Sequence, residues 1–295
     1  MILLKNDIQL TSLTTDKLIV IGDIHGLTKW RNVVEQHPNA SRYVFLGDYC
    51  DPYGSQVTGE RVIKNLRDII EFKKKYPERV VLLLGNHDQH YLLPDIPKGS
   101  RYDASISETV YALFKDNESL FQAAYEERQL LFTHAGVLRS WLEELTDSCD
   151  SIEERIDINR APIAEENTSN RVPIAEEITN HRLSIAEQIN TCSNQSLLLQ
   201  CGFMRGGYCP YGGIYWADIN EFTLDQLLPG HIQIVGHNRV STIQVLGESI
   251  DTTGIIVFCD SLYRNNYLVV EHPEADEPLF YESSISKILL LKAMI

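Results

Sequence analysis

Short apolar runs, each closed by a glycine and then by polar residues, recur along the first third of the chain. The runs at 18–21, 43–46 and 80–84 are continuously apolar, which is typical of strands buried on both faces of a sheet. Apolar periodicity between them predicts helices over 28–37 and 58–76. Strand and helix therefore alternate, as in an α/β fold.

The second half of the chain continues with fewer helices and more strands. Apolar patterning predicts helices over 104–127 and 139–147 and, after a break, four further strands. This strand-rich end indicates an α/β fold with α+β layering around one core, so residues 1–295 are interpreted as one domain. The only clear shift in composition spans 148–196, and the four late strands are predicted at 231–236, 241–246, 255–259 and 266–271.

Metal-binding side chains follow the ends of five predicted strands, namely those named above at 18–21, 43–46, 80–84 and 231–236 and a further apolar run at 130–133. Ligands in open α/β sheets bind beyond the carboxyl ends of the strands, so side chains placed there are expected to converge on one site. A single Gly-Asp or Gly-His pair at a strand end is usually an ordinary turn, but five in succession are hard to explain by turns alone. The candidate metal ligands are Asp23, His25, Asp48, Asn86, His134 and His237.

This mixture of carboxylate, amide and imidazole ligands suits manganese, iron or zinc. Two such ions about 3.5–4 Å apart would clamp a phosphate and lower the pKa of a bridging water, and Asp48 can bridge them. The predicted reaction is phosphoester hydrolysis by a hydroxide bridging two metals. His87 is free to act as a general acid, because Asn86 offers the better-aimed oxygen, and Asp51 is a reasonable partner to orient it.

Other polar residues lack this strand-end context. His90 and His231 are predicted to be surface or supporting groups, although strand periodicity would place His231 on the same face as His237. Asp260 follows the apolar run at 255–259. It either orients a metal ligand or serves as a turn residue.

The order of these motifs resembles that of the calcineurin-like metallophosphoesterases, and within them the phosphoprotein (serine/threonine) phosphatase branch with its bacterial relatives. The resemblance covers about residues 17–272 and rests on the blocks Gly22-Asp23-Ile24-His25-Gly26, Gly47-Asp48-Tyr49-Cys50-Asp51, Gly85-Asn86-His87-Asp88 and the two later histidines. It implies a four-layer α/β/β/α sandwich. It also implies that Asp23, His25 and Asp48 hold the first metal, that Asp48, Asn86, His134 and His237 hold the second, and that His87 with Asp51 forms the acid pair.

The chain departs from this pattern at two places. The last block reads Gly236-His237-Asn238 without a second histidine, which favours the phosphoprotein phosphatase and dinucleoside tetraphosphatase branch. Pro52 stands where that branch usually supplies a phosphate-binding arginine. Arg205 is the candidate replacement, because it precedes a Tyr-Trp-Ala-Asp segment that resembles the place where the family carries another arginine; it can equally be a turn residue.

The overall charge limits the classes of partner. The formal net charge is −15, with no basic cluster that would suit the backbone of a nucleic acid. Six cysteines form no regular framework, and no apolar stretch approaches the roughly 20 residues that span a bilayer. These features predict a cytoplasmic enzyme without nucleic-acid or membrane partners, acting on a phosphoprotein or a small phosphoester.

Four consecutive units of eleven residues begin at Ser151 and form most of the 148–196 insertion. Pro162 and Pro173 open two of the units, so one unbroken helix is not expected and each unit is predicted to start a short helix of its own. Isoleucines recur in a narrow stripe that needs a partner surface. The repeats at 151–194 are interpreted as a cap over the site or a docking surface for a protein, against a tandem duplication tolerated in a surface loop.

Three functions remain open from the sequence. The leading hypothesis is a phosphomonoesterase that resembles protein serine/threonine phosphatases and uses two divalent ions, with manganese favoured over iron or zinc. A dinucleoside tetraphosphatase-like enzyme would use the same core on a phosphoanhydride. A non-catalytic binding protein would act through the repeats, but the presence of every expected metal ligand argues against it.

Overall fold

The structure, a computed structural model, describes residues 9–11, 14–147, 183–275, 278–285 and 287–288. Two β-sheets form its centre. No helix in these ranges is both long and apolar enough to cross a membrane.

The first sheet contains seven strands: β1 (Thr15–Ile21), β2 (Ala40–Phe45), β3 (Val80–Leu83), β4 (Phe121–Gln122), β10 (Asn266–Glu271), β11 (Leu279–Ser284) and β12 (Lys287–Ile288). They lie in the order β12-β11-β10-β1-β2-β3-β4. The half from β1 to β4 is parallel. On the other side of β1, each of β10, β11 and β12 is antiparallel to its neighbour.

The second sheet contains five strands: β5 (Ala124–Glu127), β6 (Leu130–Thr133), β7 (Ile232–Arg239), β8 (Gln244–Ser249) and β9 (Gly254–Asp260). They lie in the order β5-β6-β7-β9-β8. The centre, from β6 through β7 to β9, is parallel, and both edge strands are antiparallel to their neighbours.

Helices connect the strands and cover the outer faces of both sheets. The helices are α1 (Trp30–Gln36), α2 (Gly59–Lys75), α3 (Asn86–Leu92), α4 (Ser107–Asp116), α5 (139–147), α6 (Ile185–Thr191) and α7 (Gln195–Leu198). Apolar residues of α2 enter the core beside the first sheet, and the helix ends in three lysines, whose charge is favourable near a helix C-terminus.

Side-chain alternation along the strands produces three apolar layers. In β1, Ile19 and Ile21 pack with α1 and α2, whereas Leu18 and Val20 pack between the sheets. Phe132 of the second sheet meets them in that middle layer, and a third apolar cluster lies under α5 and α6. These layers confirm the predicted α/β class and the α/β/β/α sandwich. They also explain why the sequence shows continuous apolar runs, since both faces of each central strand are buried.

One predicted helix is wrong in its extent. Residues 104–127 were expected to be one helix, but α4 ends at Asp116, and the chain then forms β4 and β5. Phe121 packs against Phe114 and Tyr49 in edge-to-face geometry. The apolar pattern of this segment was therefore misinterpreted as helical, because Phe121 packs at the edge of the first sheet and not on a continuation of α4.

The insertion lies largely outside the described residues, which resume at 183. The fourth repeat is described, and it forms α6 as predicted for a separate short helix. Ser184 caps this helix by accepting a hydrogen bond from the Glu187 backbone N–H, while Glu187 reaches back to the Ser184 N–H. Ile189 is buried against the second sheet, so in this repeat the isoleucine stripe has found its partner surface.

Candidate metal centre

The predicted ligands lie at neighbouring strand ends of the two sheets. Asp23 and His25 follow β1, Asp48 follows β2, and Asn86 opens α3 directly after β3. From the second sheet, His134 follows β6 and His237 lies near the end of β7. Every one of these side chains except the partly exposed His237 is buried.

Asp48 lies between two groups of ligands. Its Oδ2 atom is 3.5 Å from His25 Nε2, and its Oδ1 atom is 3.6 Å from His134 Nε2. Asp23 Oδ2 lies 3.8 Å from the same His25 nitrogen. One carboxylate therefore faces both sets of imidazole ligands, each with a different oxygen.

Asn86 gathers the second group. Its Oδ1 atom lies 2.9 Å from His134 Nε2 and 2.9 Å from His237 Nδ1. The Nε2 atom of His237 is buried without a hydrogen-bond partner among the described residues. An amide oxygen shared by two imidazoles, together with an unpaired buried nitrogen, fits a cation better than a hydrogen-bond network.

Backbone carbonyls fix the tautomers of two histidines. His25 Nδ1 is 2.9 Å from the Cys50 carbonyl oxygen, and His134 Nδ1 is 2.8 Å from that of Leu46. A carbonyl can only accept, so each Nδ1 carries the proton and each Nε2 presents a lone pair toward Asp48. Both rings can therefore offer Nε2 to a cation.

Burial shifts the pKa values of the candidate ligands so that the neutral form of each side chain is favoured. It lowers the pKa of His25 to about 3, helped by repulsion from His87, and burial likewise lowers the pKa of His134 to about 3. The pKa values of Asp23 and Asp48 are raised by burial and by neighbouring carboxylates. The imidazoles are neutral, as ligation requires, and no cation of a described residue is among the main influences on the pKa of either carboxylate, so a divalent ion would supply the countercharge.

The backbone at the centre is unusual. His25, Asp48, Asp51 and His237 adopt φ values of +40°, +52°, +58° and +59°, in the region that non-glycine residues seldom occupy. Gly85 permits the close approach of β2 and β3, because a Cβ atom there would lie 2.2 Å from Asp48 Oδ1. The loops are thus bent to aim their side chains inward.

Asp88, whose role the sequence did not suggest, ties two of these loops together. Its carboxylate accepts hydrogen bonds of 2.8–2.9 Å from the backbone N–H groups of Gly85, Asp48 and Tyr49. Burial nevertheless outweighs these bonds and raises the Asp88 pKa to about 7. The ends of β2 and β3 are therefore held in register by one buried carboxyl group.

Asp51 and His87 form the expected pair beside the metal ligands. His87 Nδ1 lies 2.7 Å from Asp51 Oδ2, and the Tyr91 hydroxyl donates to Asp51 Oδ1 at 2.6 Å. Burial raises the Asp51 pKa, but hydrogen bonds from His87, His90 and Tyr91 outweigh it, so the pKa lies below its ordinary value. Asp51 is thus an anion that keeps the His87 proton on Nδ1.

His90 is a second partner of Asp51. Its Nε2 atom lies 2.6 Å from Asp51 Oδ2, and its Nδ1 accepts a hydrogen bond from the Gly99 N–H at 3.1 Å. Because Nδ1 accepts, the ring proton is on Nε2, the nitrogen that contacts the Asp51 carboxylate. The sequence placed His90 among surface or supporting groups; it is buried, with a supporting position.

We expect His90→Phe to lower kcat about tenfold with little change in KM, because it removes a charge-assisted donor to Asp51 and loosens the aim of His87. The phenyl ring preserves packing against Tyr91 and Tyr102, which lie 4.7 Å and 5.1 Å from the His90 ring centre. Steady-state kinetics measures the effect. His90→Gln should recover part of the loss by restoring a donor, and His231→Phe serves as the control; equal kcat in His90→Phe and wild type would contradict the role.

Arg101 contacts the free nitrogen of His87. Its Nη2 atom lies 3.0 Å from His87 Nε2, and its Nε donates to the Asp51 carbonyl oxygen at 3.1 Å. Arginine has no acceptor, so His87 Nε2 is unprotonated in this arrangement. Burial also lowers the His87 pKa, although Asp51 opposes this effect. No sequence motif pointed to Arg101, which comes from the loop before α4.

Arg205 lies beside the second ligand group. Its guanidinium forms an ion pair of 2.8 Å with Asp218 and donates to Asn238, the neighbour of His237. Its positive charge contributes to the lowered pKa of His237, for which burial is the main cause and His134 the next. Arg205 is thus near the candidate metal centre, as expected for a phosphate-binding arginine, but the carboxylate of Asp218 already neutralises its charge.

Two further residues considered in the sequence analysis, Asp260 and His231, differ in their relation to the centre: Asp260 supports a candidate ligand, whereas His231 contacts none of the candidate ligands among the described contacts. Asp260 is buried and interacts with Asp23, which fits the orienting alternative. His231 precedes β7, and its Nδ1 lies 3.1 Å from the Pro229 carbonyl oxygen. The strand periodicity that linked it to His237 is interrupted by the positive φ of His237 and a register shift between Val235 and Arg239.

Comparisons with known proteins agree with this arrangement. The family model described as calcineurin-like phosphoesterase matches residues 17–254. The chain is 35% identical over 74 residues to the serine/threonine-protein phosphatase PP2A-like PPG1 of Candida albicans, a match that covers 23% of this chain and only 16% of that relative.

Similar solved structures include two of a cold-active protein tyrosine phosphatase, one of them described as coming from a psychrophilic Shewanella species. Each is 15% identical and covers 94% of this chain; the TM-scores are 0.51 and 0.52, and the shares of the solved chains covered are 81% and 80%. At this identity the likeness concerns the fold alone.

Proposed function

This chain belongs to the calcineurin-like phosphoesterase family, and we propose that it is a metal-dependent hydrolase of phosphomonoesters. The observation that carries the proposal is the position of Asp48, whose two oxygens face His25 and His134 separately. A carboxylate shared in this way suits a pair of cations. The substrate is a phosphoprotein or a small phosphoester.

The side chains of the centre would hold two divalent ions. Asp23 and His25 with Asp48 would hold the first, while Asp48 with Asn86 and the histidines of β6 and β7 would hold the second. When bound, the ions supply the positive charge that activates water and stabilises the transferred phosphoryl group. We propose manganese as the native metal; iron and zinc suit the same donors.

His87 is assigned the proton transfer to the leaving group. Asp51 holds the proton on Nδ1, so Nε2 is the atom that faces the reaction and exchanges its proton. Arg101 blocks this atom at present, but the guanidinium would bind a phosphate dianion more strongly than a neutral imidazole. We propose that Arg101 turns onto the phosphate, replacing the arginine absent at Pro52, and that the substrate charge favours a protonated His87.

The location is proposed from the cysteines. The five described cysteines, at positions 50, 192, 201, 209 and 259, form no disulfide. Free thiols fit a reducing compartment. We therefore propose the cytosol.

Removal and return of metal tests the proposed function. We expect chelator-stripped protein to lose hydrolysis of p-nitrophenyl phosphate and to regain it when manganese is restored, with zinc, iron and magnesium compared singly. Metal content measured alongside turnover separates loss of binding from loss of catalysis. Protein that binds two ions per chain yet never hydrolyses a phosphomonoester would refute this proposal, and protein that binds no metal would refute the centre itself.

A further inference from the structure

A small cavity of about 230 Å³ opens directly beside the first group of metal ligands. Asp23 and His25 form its inner end, and the His25 ring lies 4.7 Å from the Tyr53 ring, edge to face. The volume suits a small polar group rather than a whole drug-sized ligand. The remaining lining residues are Leu27, Pro52, Val57, Arg239, Asp260 and Tyr263.

Arginine and tyrosine side chains stack along this cavity. The guanidinium carbons of Arg101 and Arg239 lie 3.8 Å and 4.1 Å from the Tyr53 ring centre. Arg239 also lies 3.9 Å from the centre of Tyr263, against which Arg264 packs at 5.6 Å. These five residues form what we term the arginine–tyrosine column. It leads from His87 outward past the metal ligands.

Arg239 forms no close ion pair in the part of the chain that the structure describes, and its guanidinium makes no hydrogen bond to a described residue. Asp260 lines the same cavity and attracts Arg239, but burial raises the pKa of Asp260 to about 7, and its carboxyl group also interacts with Asp23. Asp260 therefore offsets the charge of Arg239 only in part. Stacking occupies only the faces of a guanidinium, so the N–H edges of Arg239 remain available for a ligand.

Three stacked arginines that form no ion pair with a described carboxylate are unexpected in this chain. The formal net charge is −15, and elsewhere arginines such as Arg31 and Arg42 pair with carboxylates at 2.5 Å and 3.0 Å. The two tyrosine rings hold Arg239 in place, which reduces the entropy lost when it binds. The column is therefore built to receive an anion next to the metal centre.

We propose that Arg239, held between Tyr53 and Tyr263, forms a second anion subsite, and that the preferred substrate carries a second phosphate group beside the one that is hydrolysed. This inference rests on the proposed function, which places the scissile phosphate at the metal centre. Phosphate is the anion that the planar fork of a guanidinium matches with two parallel hydrogen bonds. The substrate class is a small polyphosphorylated molecule.

Inhibition by inorganic phosphates tests the subsite. In assays of p-nitrophenyl phosphate hydrolysis at fixed free metal, we expect pyrophosphate to inhibit the wild type at least about tenfold more tightly than orthophosphate, as one charge-assisted pair would give. In Arg239→Gln this preference should fall to about twofold. Arg67→Gln, an exposed arginine on α2, is the matched control and should keep the wild-type ratio.

A binding measurement makes the test independent of turnover. Calorimetry on the metal-loaded protein should give the same affinity ratio of pyrophosphate to orthophosphate, and the same loss in Arg239→Gln. Arg239→Lys, which keeps the charge but not the fork, should keep only part of the preference. Because Arg239 is exposed at the end of β7, these changes leave the apolar core intact.

The outcomes separate this inference from the proposed function. If the active wild type binds pyrophosphate no more tightly than orthophosphate, the subsite is refuted while the hydrolase stands. If no ion restores p-nitrophenyl phosphate hydrolysis, the hydrolase is refuted, and the calorimetric ratio still tests the subsite. Phosphonoacetate carries a carboxylate in place of the second phosphate of pyrophosphate. If it binds as tightly as pyrophosphate, the assignment of the subsite to a second phosphate is wrong.

Discussion

Asp48→Asn is expected to lower metal-dependent turnover of p-nitrophenyl phosphate on the order of 10³-fold. The change keeps the shape of the side chain but replaces one of the two anionic oxygens, which face His25 and His134. The amide can offer an oxygen to only one group of ligands. Both kcat and the number of bound ions should therefore fall, measured by steady-state kinetics and by metal analysis of the same preparation.

A matched variant separates this effect from a general loss of charge. Asp251→Asn changes an exposed aspartate in the turn between β8 and β9 and should leave turnover and metal content as in the wild type. Circular dichroism shows whether Asp48→Asn has folded. If the folded variant retains two ions and wild-type turnover, Asp48 does not bridge a metal pair.

His87→Asn is expected to lower kcat about 10²- to 10⁴-fold for an alkyl phosphate. The loss should be much smaller for p-nitrophenyl phosphate, because p-nitrophenolate leaves without needing a proton. The assignment of His87 as the acid predicts this difference, whereas a merely structural role predicts equal losses on both substrates. The measurement is the ratio of kcat/KM for the two substrates in variant and wild type.

His272→Asn is the control for the histidine variant. His272 is exposed, pairs with Asp16 at 2.7 Å and has a positive φ of 54°, a conformation that asparagine also tolerates. Its substrate ratio should equal that of the wild type. Equal losses on alkyl and aryl phosphates in His87→Asn would remove His87 from the role of acid.

The ligand positions at the strand ends could be predicted from the sequence because three constraints coincide there. Continuous apolar runs marked the parallel strands, glycines marked their ends, and parallel strands bring their ends to one edge. Asp48 and Asn86 are therefore adjacent although 38 positions separate them in the chain. The α/β class followed from the alternation of strand and helix, whereas the four-layer sandwich was implied by the resemblance to the calcineurin-like metallophosphoesterases.

The supporting residues were harder to predict, since their roles depend on loop geometry. His90 lies three positions after His87, and helical spacing was the one signal that could have linked them. Arg101 reaches His87 from a loop, with its own φ at +64°, and no periodicity encodes such an approach. Arg239 follows His237 by two positions, but the bend at His237 breaks the strand alternation that would relate them.

For the insertion, the sequence predicted the local helices but not what they pack against. Its repeats indicated short helices, and α6 bears this out for the fourth unit, where Asn190 also bonds to the backbone of Ala123 and Ala124 at the sheet edge. Sequence periodicity identified which face needs a partner. It could not say that the partner is the second sheet of the same chain, because that choice depends on tertiary packing.

The left-handed backbone of His25, Asp48, Asp51 and His237 has a consequence for how the centre assembles. Each such residue costs about 1 kcal/mol or more relative to ordinary backbone, and the surrounding sandwich must overcome that cost when the chain folds. Packing of the two sheets must therefore hold these four residues in place, so the stability of the sandwich contributes directly to the geometry of the candidate ligands.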